Sequence, residues 1–402
     1  MFTPAKPKLR YQLTFEASGA WPTSVVFLGS GRRLAAGNQL GQIFLWELPE
    51  KPPEFKADPK GSDRERLAAN IWPMRRLDGH SNEISRLVAT PDGKHLVSAS
   101  YDRTVRLWPT DAKPAGKADV ILDEEVRKRE ARRLGKKESS KEPSATVETQ
   151  TTCTILEGHK DWIYALGISR DGKRLISGDS AANVIVWDVD GAKPVAKWIG
   201  QPWNWIVSAA LSSDGKTALV SEYRYKRDDF DVPTPALKLW DVATAKETLD
   251  IMKVQFPKLD PQDRSYGGSQ LWRKFVGNGL IASAISPDGK LLAVIQGGET
   301  DTGKVHLLDA TTGKLIRDIS GHMSGATDLL FTSDGKHIVS AGRDTTVRIC
   351  QVADGKEVAV LGSSRGGQFK DWFSAVAISP DERFIAAADI AGLVQVWEFE
   401  RA

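Results

Sequence analysis

Short apolar runs of four to six residues recur along the chain, and nearly every one leads through a tight polar turn into a second apolar run. The clearest turns are Asp92-Gly93-Lys94, Asp171-Gly172-Lys173, Asp214-Gly215-Lys216, Asp288-Gly289-Lys290 and Asp334-Gly335-Lys336, with degenerate copies at Ser30-Gly31-Arg32 and Asp381-Glu382-Arg383. After each turn comes an alternating run with a set ending, such as Arg106-Leu107-Trp108-Pro109, Ile185-Val186-Trp187-Asp188 or Lys238-Leu239-Trp240-Asp241. Runs this short, rich in Val, Ile and Leu and punctuated by Gly and Asp, predict antiparallel strands joined by hairpins. Asp-Gly suits those hairpins because glycine accepts a positive φ at little cost. Seven repeats of one such unit predict a radial array whose function lies on its faces.

The best-preserved unit runs from Leu77 to Trp108 and carries Gly79-His80, Ser98, Asp102 and Trp108. Gly158-His159, Ser177 and Trp187-Asp188 repeat the pattern, as do Gly321-His322, Ser340 and Asp344. This set resembles the WD-repeat signature over nearly the whole chain. The resemblance implies an all-β fold, a seven-bladed β-propeller of four-stranded antiparallel blades. It also implies a structural tetrad, whole only as His80, Ser98, Asp102 and Trp108, with Ala181 at the Asp position of repeat three and Cys350 at the Trp position of repeat six. The last repeat ends on its third strand, so the fourth is expected from the N-terminus, at Tyr11–Glu16, closing the ring and removing open sheet edges.

The family topology assigns the long insertions to faces. Residues 49–67 and 111–150 are expected on the bottom face, where third strands lead to outer strands. A short helix is predicted over 119–137, where Asp123, Glu124 and Glu125 precede Arg127, Lys128 and Arg129, and disorder over 138–150. Residues 222–236 and 252–279 are expected on the top face, which also holds the approaches to the inner strands. The top insertions are aromatic and mixed in charge; the bottom ones are mostly charged.

Nine residues before each turn the chain reads Trp21, Glu83, Trp162, Trp205, Gly279, Gly325 and Trp372. In a propeller this position rims the central channel at the top. Trp, Tyr and Arg dominate interface energetics, so Trp21, Glu83, Trp162, Trp203, Trp205, Tyr223, Arg224, Trp272, Arg343 and Trp372 form the candidate partner-binding set. Trp46, Trp108, Trp187, Trp240 and Trp397 belong to the third-strand signature and read as core.

Composition narrows the chemistry. The 55 basic and 52 acidic residues leave a charge of +3, which calls for neither nucleic acid nor an anionic membrane. No run approaches the roughly 18 apolar residues of a membrane span, nothing near Met1 resembles a signal peptide, and Cys153 and Cys350 stand in different repeats. A cytoplasmic, monomeric protein without cofactor or metal is expected. Gly362-Ser363-Ser364-Arg365-Gly366 matches a nucleophile elbow but lacks its strand-turn-helix setting. The loop from Gly298 to Lys304 lacks the hydroxyl residue and helix of a phosphate loop. Asp228, Asp229 and Asp231 make a weak calcium motif, and the basic run Arg127–Lys137 reads as a solvated face.

These features point to a non-catalytic protein or peptide platform working through an aromatic top rim. One alternative is a propeller that binds or acts on a small ligand such as a sugar. Against catalysis, the rim offers only Glu83 among charged residues. The other alternative is docking through the bottom insertions.

Overall fold

The structure is a computed structural model that describes residues 8–14, 20–29, 31–51, 70–71, 73–120, 145–223, 235–257, 275–277, 279–297, 303–362, 372–390 and 392–399. Its strands form seven sheets, one per repeat. The innermost strands are Pro22–Leu28, Ile84–Ala89, Ile163–Ile168, Trp205–Leu211, Leu280–Ile285, Ala326–Phe331 and Phe373–Ile378. Each packs on the next, and the seventh packs on the first, so the ring is closed. The blades are numbered one to seven in that order, and the side on which the chain approaches the inner strands is called the top.

Burial follows position within the blade. The second strand of every blade is buried on both faces, as in Ala35–Asn38, Leu96–Ser100 and Ile385–Asp389. The outer strand Lys193–Ile199 is mostly exposed. Close approach of neighbouring blades explains small residues on the second strand: a Cβ on Gly178 would lie 2.2 Å from the Ile206 side chain of the next blade. Core clusters accordingly span blade boundaries; one joins Ile176 and Val184 of blade three to Ile206 and Val220 of blade four.

Blade seven is completed by the N-terminus. Strand Lys8–Thr14 pairs antiparallel with Leu393–Glu398, a few residues upstream of the expected Tyr11–Glu16. Hydroxyls add to the closure: Ser374 Oγ donates to the Pro22 carbonyl of blade one at 2.7 Å, and Thr23 Oγ1 donates to the Ile84 carbonyl of blade two.

Two blades exceed four strands, and the reason corrects the helix expected at residues 119 and 120 and the disorder expected over 145–150. Asn70–Ile71, at the end of the first insertion, pairs parallel with the N-terminal strand at the edge of blade seven. Gly116–Val120 and Ala145–Gln150 form a hairpin whose second strand lies parallel to Arg75–Leu77, the outer strand of blade one. Ala145–Gln150 is therefore ordered β-structure rather than disordered chain, and Asp119 and Val120 are strand rather than helix; residues 121–137 lie outside the described residues. Asn70–Ile71 and the hairpin thus each cover the outer edge of the preceding blade, satisfying backbone groups that an open edge would leave unpaired. Arg75 locks the hairpin in place, donating to Glu148 Oε2 at 2.8 Å, Gln150 Oε1 at 3.1 Å and the Ala112 carbonyl at 2.9 Å.

The tetrad of blade two is assembled as the resemblance implied. His80 Nδ1 meets Asp102 at 2.7 Å and Nε2 meets Ser98 Oγ at 2.7 Å, while Trp108 Nε1 donates to the same hydroxyl at 2.8 Å. Blade three also holds a full set, which corrects the reading of Ala181 as a gap. Asp179, the last residue of the second strand, turns its carboxylate to His159 Nδ1 at 2.9 Å and accepts from the Ala181 amide at 3.0 Å. A carboxylate two residues earlier reaches the same place because the turn folds back over the strand end. In blade six His322, Ser340 and Asp344 are joined without a tryptophan, and Cys350 is buried in its stead. Blade four has Val220 where Ser98 and Ser177 stand, and the buried Trp240 Nε1 has no hydrogen-bond partner among the described residues.

The inner strands enclose a channel of about 410 Å³. Arg86 Nη1 of blade two meets Asp328 Oδ2 of blade six across it at 3.0 Å. Lower down, Arg170 Nη1 in a bottom turn of blade three donates to the Ser333 carbonyl of blade six at 3.0 Å. No described helix is long and apolar enough to cross a membrane, and the described residues hold no His, Cys, Asp and Glu group able to bind a metal ion.

Candidate functional site

The seven rim positions are structurally equivalent. In six blades the rim carbonyl accepts from the residue just beyond the second strand: Gln39 N to Trp21, Tyr101 N to Glu83, Ser180 N to Trp162, Gly297 N to Gly279, Arg343 N to Gly325 and Ile390 N to Trp372. One backbone bond thus places each rim residue beside the turn between second and third strands, on the top face.

Four aromatic rings form a continuous arc over blades two to four. Trp162 stacks on Tyr101 at 5.3 Å and 16°. Tyr101 leans on Tyr164 at 4.9 Å, and Tyr164 stacks on Trp205 at 5.3 Å and 10°. Aromatic pairs in such geometry gain roughly 0.5–1.5 kcal/mol beyond area burial, which fixes ring orientation. Tyr101 and Tyr164 were not in the sequence-derived set. Tyr101 precedes the tetrad Asp102, and Tyr164 occupies the bulge at the start of its inner strand, where the register shifts between Ile163 and Ala165. Aligning those two positions, as was done for the rim, is the signal that finds them.

Trp203, two residues before Trp205, is 71% exposed. Its φ of 71° is left-handed, a conformation that strains a bulky side chain. The loop is held by Glu222, whose Oε2 accepts from the Gln201 amide at 2.7 Å. Burial pushes the Glu222 carboxyl above its ordinary range, against the opposing pull of the Gln201 amide and Lys238. Across the mouth, the Arg343 guanidinium lies 4.0 Å above the Trp372 ring. Trp21 and Trp162 are about half exposed, while Trp205, Trp372 and Glu83 are half-buried.

Tyr223 does not belong to this surface. It ends a second strand and is 7% exposed, packed with Leu280 and Phe275 in the core shared with blade five. Arg224 and Trp272 lie outside the described residues, as do the Asp228 to Asp231 motif, Ser363 to Gly366 and Gly298 to Asp301. The signature tryptophans Trp46, Trp108 and Trp187 are fully buried.

Exposed apolar side chains are unevenly distributed. Eleven large ones are well exposed among the described residues. Six lie at the top: Trp21, Leu40, Trp162, Trp203 and Met323, with Ile199 at the top end of its outer strand. The other five, Ile155, Val195, Leu315, Ile316 and Val360, lie on outer strands at the circumference. The bottom turns hold none, presenting instead residues such as Asp92, Lys94, Asp214 and Lys216.

Comparison with known proteins matches this architecture. A family profile described as "WD domain, G-beta repeat" matches residues 71–109, 150–188 and 313–350. Autophagy-related protein 16 of Arabidopsis thaliana is 25% identical over 328 residues, covering 81% of this chain and 49% of the relative. Human striatin-4 is 22% identical over 381 residues, covering 93% and 41%. The small ribosomal subunit protein RACK1 of Neurospora crassa is 30% identical over 96 residues, covering 24% and 26%. The chain spans about half or less of the length of these relatives. With three matched WD repeats set in a closed ring of seven sheets, this chain is a seven-bladed β-propeller that carries WD repeats.

Proposed function

We propose that the chain is a non-catalytic interaction platform that binds a protein or peptide segment on its top face, against the arc of Trp162, Tyr101, Tyr164 and Trp205. The observation that carries this reading is the segregation of exposed apolar side chains among the described residues: six at the top, none in the bottom turns. Each large ring can bury about 150–250 Å², and a contiguous apolar surface of this extent is characteristic of a docking site. Trp203 supports it as well: the turn closed by the Asn204 amide on the Gln201 carbonyl at 3.1 Å needs a left-handed residue, and an exposed indole stands there where glycine would cost less. One relative, RACK1, is named as a protein of the small ribosomal subunit. Cytoplasmic residence belongs to the same proposal, since the two cysteines, Cys153 and Cys350, are free thiols.

Affinity capture from host extract tests the reading when faces are compared. Trp162→Ala with Trp205→Ala should lose the proteins captured by the unmodified chain. Val195→Ser with Ile316→Ser, on the circumference, should retain them. Retention by the first variant, or loss only in the second, would move docking to the outer strands.

A further inference from the structure

Glu83 is the one charged residue among the seven rim positions, set between Trp21 and Trp162 of the adjoining blades. Its carbonyl accepts from the Tyr101 amide at 3.0 Å, which ties it to the ring on which Trp162 stacks. The side chain is half-buried, and burial pushes its carboxyl above the ordinary range with no offsetting cation or donor among the described residues. A carboxylate withdrawn from water without a counter-charge is costly. Several other charged groups of the top face and channel are engaged: Arg343 over Trp372, Arg86 with Asp328, Asp102 in its tetrad, and Asp161 accepting from the Trp162 amide at 2.9 Å, while Arg103 and Lys160 are exposed to solvent.

We infer that Glu83 is the cation-recognition point of the top face, taking a lysine or arginine side chain from an extended peptide segment whose neighbouring apolar residue lies on the Tyr101–Trp162 stack. Charge complementarity selects this occupant. The carboxylate supplies the missing counter-charge, and flanking aromatic faces attract the same cation. An acidic segment would meet Glu83 unfavourably. The inference rests on the top face being a peptide surface, and its test separates the two.

The full chain is probed on a synthetic array of random octapeptides, and a selected binder is labelled with fluorescein for anisotropy. Binders should be enriched in Lys and Arg. Glu83→Gln should weaken the selected peptide about tenfold, the scale of one charge-assisted hydrogen bond, with an unchanged or higher thermal midpoint. Glu83→Lys should turn the array toward Asp and Glu. Trp162→Ala should weaken binding while leaving the basic preference in place. Binders that respond to Trp162→Ala but show no basic enrichment, or an enrichment that survives Glu83→Gln, would overturn the role of Glu83 alone. An array without binders, or binders indifferent to Trp162→Ala, would remove the top-face reading beneath it.

Discussion

Arg86 of blade two and Asp328 of blade six, on inner strands that are not neighbours in the ring, form an ion pair 3.0 Å long through the central channel. The same depth of the other blades carries only Ser24, Ala165, Ser208, Ala282 and Ala375, small side chains that leave room for the guanidinium to cross. Asp328 Oδ2 also accepts from the Val376 amide at 3.2 Å, so one carboxylate joins blades two, six and seven. Removing it leaves a largely buried guanidinium and an amide unpaired. Asp328→Ala is expected to lower stability by about 2–3 kcal/mol, whereas Arg86→Met with Asp328→Leu costs less. Urea midpoints decide; a double variant at least as unstable as the single one would contradict a cross-channel brace.

Blade three offers a test of the relocated tetrad carboxylate. Asp179 is fully buried and gathers bonds from His159, Ala181 and Asn183. Asp179→Ala should destabilise about as much as Asp102→Ala, by roughly 2–3 kcal/mol. Ala181→Asp, which restores the family pattern, should add nothing. If Ala181→Asp stabilises and Asp179→Ala is silent, the bonding assigned to Asp179 is wrong.

The tetrads set an acid limit. Burial alone would raise the Asp102 and Asp344 carboxyls, but bonds from His80 and Thr104, and from His322 and Thr346, hold both well below the carboxylate range. Depressed carboxyls contribute stability that is complete above the unfolded value of about 3.9 and is lost as pH falls through the folded one. His80 adds an earlier step. Burial lowers its pKa from 6.5 despite Asp102, so the unfolded chain takes up the proton first and stability declines below about pH 6.5. The bonding accommodates the neutral form: an imidazole that donates from Nδ1 to Asp102 leaves Nε2 to accept from the Ser98 hydroxyl, whose oxygen accepts from Trp108 Nε1. Urea midpoints measured from pH 7.5 to 3 should fall in two stages, and His80→Asn should shrink the first.

Two rim residues should cost the free protein stability. Glu83 carries an uncompensated, half-buried carboxyl, and Trp203 holds a φ of 71°. Glu83→Gln and Trp203→Gly should each leave the thermal midpoint unchanged or raise it, with gains up to about 1 kcal/mol. Both should weaken partner binding. Such opposition between stability and binding marks functional positions; a lowered midpoint in both variants would make them structural.

Much of the fold was legible because its determinants are local. Seven Asp-Gly-Lys-like turns and the Trp endings set blade number and order, and the closing N-terminal strand followed from a chain ending on a third strand. Bonds that skip the repeat were harder to read. Asp179 replaces a motif position from two residues away, and Ala145–Gln150 docks on a preceding blade although it sits in a polar insertion. Its run of β-branched residues, Thr146, Val147 and Thr149, was a strand signal outweighed by the surrounding charge. At the candidate site, alignment brought Trp162 and Trp205 to one rim, but Tyr101 and Tyr164 link them from two other positions. Tyr223, in an aromatic-rich stretch, turned inward because the last residue of its second strand faces blade five.

Hydroxyl-radical footprinting of the propeller, free and bound to a partner recovered by face-resolved capture, tests top-face docking most directly. Protection is expected at Trp162, Trp203 and Met323, with Ile155, Leu315 and Ile316 on the outer strands reacting as in the free protein. Protection confined to those outer-strand residues, with the top indoles oxidised at their free rate, would contradict it.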